Sequence, residues 1–182
     1  MNFKAWLVLF IVLVLVMLLF TKYKIVDFNN INELNNMKIE SSVFADNGKI
    51  PVEYTCDGKE TQPPLKISGA PKDAKSLTLI VDDPDAPSGD FVHWVVWNID
   101  PQISVIKNGN VPGAMEGYTS LNKPGWVAPC PPSGIHHYNF KLYALDIVLS
   151  IPKSSTKIAL LRAMDRHIIG NATLVGLYGR EN

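Results

Sequence analysis

Residues 81–99 read VDDPDAPSGDFVHWVVWNI. Two apolar runs meet here across a short turn, and the fold follows from how they are read. The first, Leu77 to Val81 (LTLIV), is nearly continuous, as expected of a strand buried on both faces. The second, Phe91 to Ile99, is rich in Val, Trp and Phe and reads as another strand. Strict alternation puts Phe91, His93, Val95 and Trp97 on one face and Val92, Trp94 and Val96 on the other. Both faces are apolar, so this strand is central. Between the runs, Asp82, Asp83 and Asp85 crowd a strand end beside Pro84 and Pro87. Proline presets φ and aspartate bonds back to its own backbone, so a turn accounts for the cluster. That is the favoured reading for such a cluster, with a metal site, a catalytic acid or the wall of a pocket as the alternatives that the residues alone leave open.

Working outward, residues 100–135 carry much Gly and Pro and read as a long loop, a length at which loops are often functional. The run HHYNFKLYALDIVL (136–149) resumes a strand with His136, Tyr138, Phe140, Leu142 and Ala144 on one face. Ser154 or Ser155 can cap a helix reaching about His167, which Gly170 can end, and ATLVGLYGR (172–180) reads as a last strand. Upstream, Ile39 and Val43–Phe44 suggest a short strand, Asp46-Asn47-Gly48 a turn, and Ile50 to Tyr54 another strand. Many strands and one clear helix predict a mainly β domain, a sandwich of two sheets.

The chain of 182 residues suits about one domain. Lys plus Arg equals Asp plus Glu, 17 each, so no basic surface supports nucleic-acid binding. The N-terminus differs in kind: AWLVLFIVLVLVMLLF, Ala5 to Phe20, has no polar side chain and is flanked by Lys4, Lys22 and Lys24. No small-residue cleavage pattern follows it, so it reads as an uncleaved transmembrane anchor over 5–21. The organisation expected is a flank 1–4, the anchor 5–21, an Asn-rich tether 22–37 and a β-domain 38–182. That layout predicts a single-pass membrane protein with the domain outside the cytoplasm, although the flanking positive charge is balanced and gives no orientation.

The residues that carry chemistry are few. Two His and two Asp suit several metals by ligand type, but their spacing matches no metal motif, so none is expected. Ser133 lacks the strand–elbow–helix setting of a hydrolase nucleophile. Cys56 and Cys130 pair in an oxidising compartment and stay free in a reducing one.

Four stretches in order, YTCDG (54–58), DDPDAPSGDFVHWVVWNI (82–99), PCPPSGIHHYNFKLYALD (129–146) and GNATLVGLYGR (170–180), resemble the phosphatidylethanolamine-binding protein family, in its bacterial and archaeal Raf kinase inhibitor-like branch. The resemblance covers about Lys38 to Arg180. It implies a β-sandwich of two antiparallel sheets with one C-terminal helix, and a small anion pocket at one end. Carried over motif by motif, the pocket uses Asp83, His93, Pro131, Pro132, His136 and Tyr138, with Asp85, His137 and Cys130 in support. The family pattern also brings Cys56 close enough to Cys130 to pair.

The function so implied is a binding protein for a phosphate or phospholipid head group, with no catalytic residue, metal or cofactor. Imidazoles titrate near neutrality and donate to phosphate oxygens when protonated, and a nearby carboxylate favours that form. Inhibition of a protease or kinase through a protein target is the alternative, and a metal- or cysteine-dependent hydrolase a more distant one. Two positions depart from the family pattern. His137 stands where the family has Arg between the His and the Tyr, and Ala128 stands where it has Gly before Pro-Cys-Pro-Pro. Alternation turns residue 137 away from the pocket, whereas alanine alters the loop path if that position needs positive φ.

Overall fold

The computed structural model describes residues 11–19, 36–107, 109 and 111–180. Helix α1 covers 11–19. Then follow β1 (Lys38–Ser41), β2 (Gly48–Lys49), a 3-10 turn (Val52–Tyr54), β3 (Leu65–Ser68), β4 (Ser76–Asp83), β5 (Phe91–Ile99), β6 (Val105–Ile106), β7 (Met115–Glu116), β8 (Ile135–Leu145), α2 (Lys157–Met164) and β9 (Ile168–Gly179). One sheet has three strands in the order β1-β3-β6, the other six in the order β2-β9-β8-β4-β5-β7. The pairings are antiparallel except that short β2 runs parallel to β9.

The main core lies between the sheets. Ile39, Leu65, Ile67 and Ile106 from the small sheet meet Leu79, Val81, Trp94, Phe140 and Leu142 from the large one. Met37, at the end of the expected tether, is buried in this core. A second cluster sits on the outer face of the large sheet, where Ile80, Val95 and Trp97 pack under Leu160 and Met164 of α2. This is why all eight residues of β4 are buried: the strand is covered on both sides. Ile50 to Tyr54 does not extend as a strand, because the chain turns at Pro51 into the 3-10 helix. Helix α2 ends earlier than its spacing predicts. Arg166 takes positive φ, and the His167 Nδ1–H donates to Asp146 Oδ1 at 2.9 Å, so β9 starts already at Ile168.

The membrane anchor expected over 5–21 is overturned. The nine described residues of helix α1, 11–19, rise about 14 Å at 1.5 Å per residue, against about 30 Å of bilayer hydrocarbon. Among the described residues no helix is long and apolar enough to cross a membrane. Apolar composition decides what a helix can be covered by, but a span also needs length. The single-pass localisation, with the domain outside the cytoplasm, falls with the anchor. Positions 5–10, 20 and 21 of the expected span lie outside the described residues.

Two register shifts between β4 and β5 shape the large sheet. Leu77 pairs with Ile99 but Leu79 with Val96, and Val81 pairs with Trp94 but Asp82 with Val92. Each shift gives β5 one residue more than β4. Asn98 lies at the first with φ 57°, and its amide bonds both ways to Leu149. His93 is the extra residue at the second.

Gly176 of β9 is a place where the packing admits no side chain. A Cβ there would lie 2.6 Å from Ile50 Cγ1 and Cδ1. Gly176→Ala is expected to lower stability by about 1–3 kcal/mol through overpacking, measured as a shift in the urea midpoint with an unchanged slope; an unshifted midpoint would show that Ile50 yields freely.

Candidate functional site

The site grows from the end of β4. Asp82 and Asp83 are neighbours, so the strand turns them to opposite faces. Asp83, on the inner side, accepts from the backbone N–H of Asp85 at 2.8 Å through Oδ1 and from the Nδ1–H of His136 at 2.7 Å through Oδ2. Both side chains are buried. The first bond is the aspartate turn expected of Asp-Pro-Asp; the second spends the other oxygen on holding an imidazole.

His93 reaches the same place by way of the bulge. Strict alternation would put it with Val95 and Trp97 under α2. The extra residue instead re-aims it to the inner face, which is what β-bulges do beside functional sites. There its ring lies 5.2 Å from that of Tyr138 and 6.4 Å from that of Trp126. Its Nδ1–H donates to the Val127 carbonyl at 2.7 Å, and the Val127 N–H returns a bond to the His93 carbonyl at 2.9 Å. A carbonyl only accepts, so Nδ1 holds the proton and Nε2 keeps a lone pair in the neutral ring. Burial pulls the pKa of His93 below its ordinary value, outweighing the Val127 carbonyl and the Asp83 and Asp82 charges that push the other way. The carboxylate effect expected for this histidine is therefore present but overridden.

The pKa of Tyr138, fully buried, is raised instead, first by burial and then by the Asp83 charge, so its phenol stays neutral. His93 Nε2 and Tyr138 Oη are both shut from solvent, and neither has a hydrogen-bond partner within the protein.

Asp83, His93, Pro131, Pro132, His136 and Tyr138 line one cavity of about 320 Å³, together with Cys130 and the apolar side chains of Phe91, Leu121 and Val127. Asp85 and His137 stand outside it. His137 Nδ1–H and its backbone N–H both donate to Asp85 Oδ2, at 2.7 and 2.8 Å, in an exposed pair at the rim. That pair holds the Asp85 carboxyl below its usual value. Ala128 does not lie at positive φ, so alanine meets no backbone penalty in the position where the family pattern has glycine. The Val127 carbonyl, which fixes His93, was not legible beforehand, because a backbone oxygen has no signature in sequence.

The wall after Val127 is held from outside. Cys130 is joined to Cys56 with a Cα–Cα distance of 5.4 Å, and the Cys56 N–H donates to the Pro129 carbonyl at 3.0 Å. The next residue, Asp57, accepts from the Tyr178 hydroxyl at 2.7 Å and from Arg180 Nε and Nη2 at 3.1 and 2.9 Å. The pocket wall is thus tied through one short loop to the end of β9. With its sulfur in the disulfide, Cys130 offers no thiolate. Among the described residues no group of three or more His, Cys, Asp or Glu is placed to hold a metal.

This fold and this pocket define a class, and comparison with known proteins agrees. The profile of the family described as phosphatidylethanolamine-binding protein matches residues 40–179. A UPF0098 protein of Methanothermobacter thermautotrophicus is 46% identical over 151 residues, 79% of this chain and 99% of its own. Among solved structures, CT736 of Chlamydia trachomatis, described as a phosphatidylethanolamine-binding protein homolog, is 42% identical with a TM-score of 0.78, covering 81% of this chain and 99% of its own. YbcL of E. coli, described as a member of the mammalian family, is 25% identical with a TM-score of 0.74, over 80% and 99%. The chain belongs to the phosphatidylethanolamine-binding protein family.

Two measurements probe the site's construction. The cysteines lie 74 residues apart, and loop-closure entropy for such a ring is about 4 kcal/mol. Replacing both, Cys56→Ser with Cys130→Ser, is expected to lower unfolding free energy by about 2–4 kcal/mol in urea; a change within error would mean the wall is held without the bond. The second concerns acid. With its folded pKa depressed, His93 contributes stability that is complete above the unfolded value of 6.5 and is lost as pH falls toward the folded pKa, by up to about 1.4 kcal/mol per unit. Urea unfolding between pH 7.5 and 5 should therefore show a shallower acid loss in His93→Gln than in the wild type, and parallel profiles would refute the assignment.

Proposed function

We propose that this chain is a binding protein whose pocket takes a small oxyanion of the phosphate type, free or as a head group. The observation that carries the reading is the meeting of His93, His136 and Tyr138 in one cavity, with Asp83 fixing the His136 ring. Because Nδ1–H is committed to Asp83, the other nitrogen of His136 is the one left for a ligand. Protonated, it donates to an anionic oxygen while Asp83 balances the ring's charge. The Tyr138 phenol donates or accepts as needed, and a cavity of about 320 Å³ suits a phosphate with a small substituent. The apolar walls raise the worth of each polar contact by excluding water. Family membership and the likeness to CT736 support a binding role.

Titration calorimetry of the full chain with inorganic phosphate and with O-phosphoethanolamine, at pH 6 and pH 8, tests this. Binding is expected at both, tighter at pH 6. His136→Ala should weaken it by about tenfold or more, the scale of one charge-assisted hydrogen bond. No heat at either pH, or affinity indifferent to His136, would overturn the reading.

A further inference from the structure

Two polar atoms in this pocket make different demands on a ligand, one fixed and one adaptable. His93 Nδ1 is committed as a donor to the Val127 carbonyl at 2.7 Å, which leaves Nε2 as an acceptor. That nitrogen is buried and has no partner within the protein. Tyr138 Oη, also buried and unpartnered, is a neutral hydroxyl that adapts to either role.

Resting on the oxyanion reading above, we propose that the pocket selects an oxyanion that still carries an O–H, a phosphate monoester or inorganic phosphate as its monoanion, over a phosphodiester, with His93 Nε2 accepting the ligand's proton. A monoester monoanion brings one hydroxyl donor and two anionic acceptor oxygens, which match His93, His136 and Tyr138. A diester of the same charge brings only acceptors. Its oxygen would face the Nε2 lone pair, and a buried polar group left unmatched costs more than a hydrogen bond gains.

The diester's one escape is to protonate His93 from solvent. The groups around that ring set how hard this is. Asp83 and, from the far face of β4, Asp82 favour the proton; His136 on β8 opposes it; Tyr138 and Trp126 are neutral; and burial opposes it most. A monoester that has lost its second proton, near pH 6, must likewise recover one on entry. The phosphate of a glycerophospholipid is a diester, so lipid head groups fall on the disfavoured side and soluble monoesters on the favoured one.

The test uses the full chain with monomethyl phosphate and dimethyl phosphate at pH 5.5, where both are predominantly monoanions. The monoester is expected to bind about tenfold tighter or more, the loss of one hydrogen bond. At pH 8, calorimetry in two buffers of different ionisation enthalpy should show uptake of about one proton per monoester bound. His93→Gln supplies an amide that donates as well as it accepts, and should collapse the preference; if that variant fails to fold, the wild-type comparison decides alone. Equal affinity for the two esters, or monoester binding at pH 8 without proton uptake, overturns the selectivity and leaves the oxyanion pocket standing. Binding of neither ester overturns both.

Discussion

The pocket depends on a single extra residue in β5. Between the pairs Val81–Trp94 and Asp82–Val92, β5 advances two residues for one of β4, and His93 is the residue gained. Without it, period-two alternation would carry the imidazole to the outer face under α2, where Val95 and Trp97 pack. With it, the ring turns inward, meets the Val127 carbonyl and anchors the start of the wall that closes the cavity. The return bond from Val127 N–H means that histidine and wall position each other. A local irregularity in backbone register thus decides which chemistry faces the cavity.

The three carboxylates at 82, 83 and 85 have three separate jobs, and strand geometry assigns them. Asp82, fully buried on the outer side, accepts from Lys141 at 2.8 Å and from Lys157 at 2.6 Å, and Lys157 also pairs with Asp90. It ties the first residue of α2 to the sheet. Asp83 turns inward to His136, and Asp85 lies past the strand end and pairs with His137 at the rim. A buried carboxylate with two ammonium partners and a buried carboxylate with one imidazole are different electrostatic objects, although they are adjacent in the chain. The first is a fixed ion cluster. The second joins one carboxylate to one imidazole through a single hydrogen bond.

Much of this was legible from side-chain type and order. The continuous apolar run of β4 declared a strand covered twice, and alternation in β8 placed His136 and Tyr138 on one face with Phe140 and Leu142, as the buried positions of that strand show. What was not legible has a common origin in the backbone. The two bulges of β5, the positive φ of Arg166 and the Val127 carbonyl leave no pattern of hydrophobicity. Alternation applied strictly to β5 therefore put His93 on the wrong face. The apolar N-terminal run misled in the opposite sense: its composition was plain, yet among the described residues no helix is long and apolar enough to cross a membrane. Burial, too, is a property of the assembled fold: nothing near His93 in the chain announces that the surroundings outweigh the neighbouring carboxylates.

The bond between Cys56 and Cys130 has a topological consequence. It makes a covalent ring of everything between them, β3 to β7, including Asp83 and His93, while His136 and Tyr138 lie outside it on β8. The exposed turn between β4 and β5, around Ser88 to Asp90, lies within that ring. A protease that cuts there opens the ring without dividing the molecule. Asp83 lies before the cut and His93, His136 and Tyr138 after it, and the bond keeps both sides on one covalent object, so a nicked chain would run at its full mass until reduced and split into two pieces afterwards.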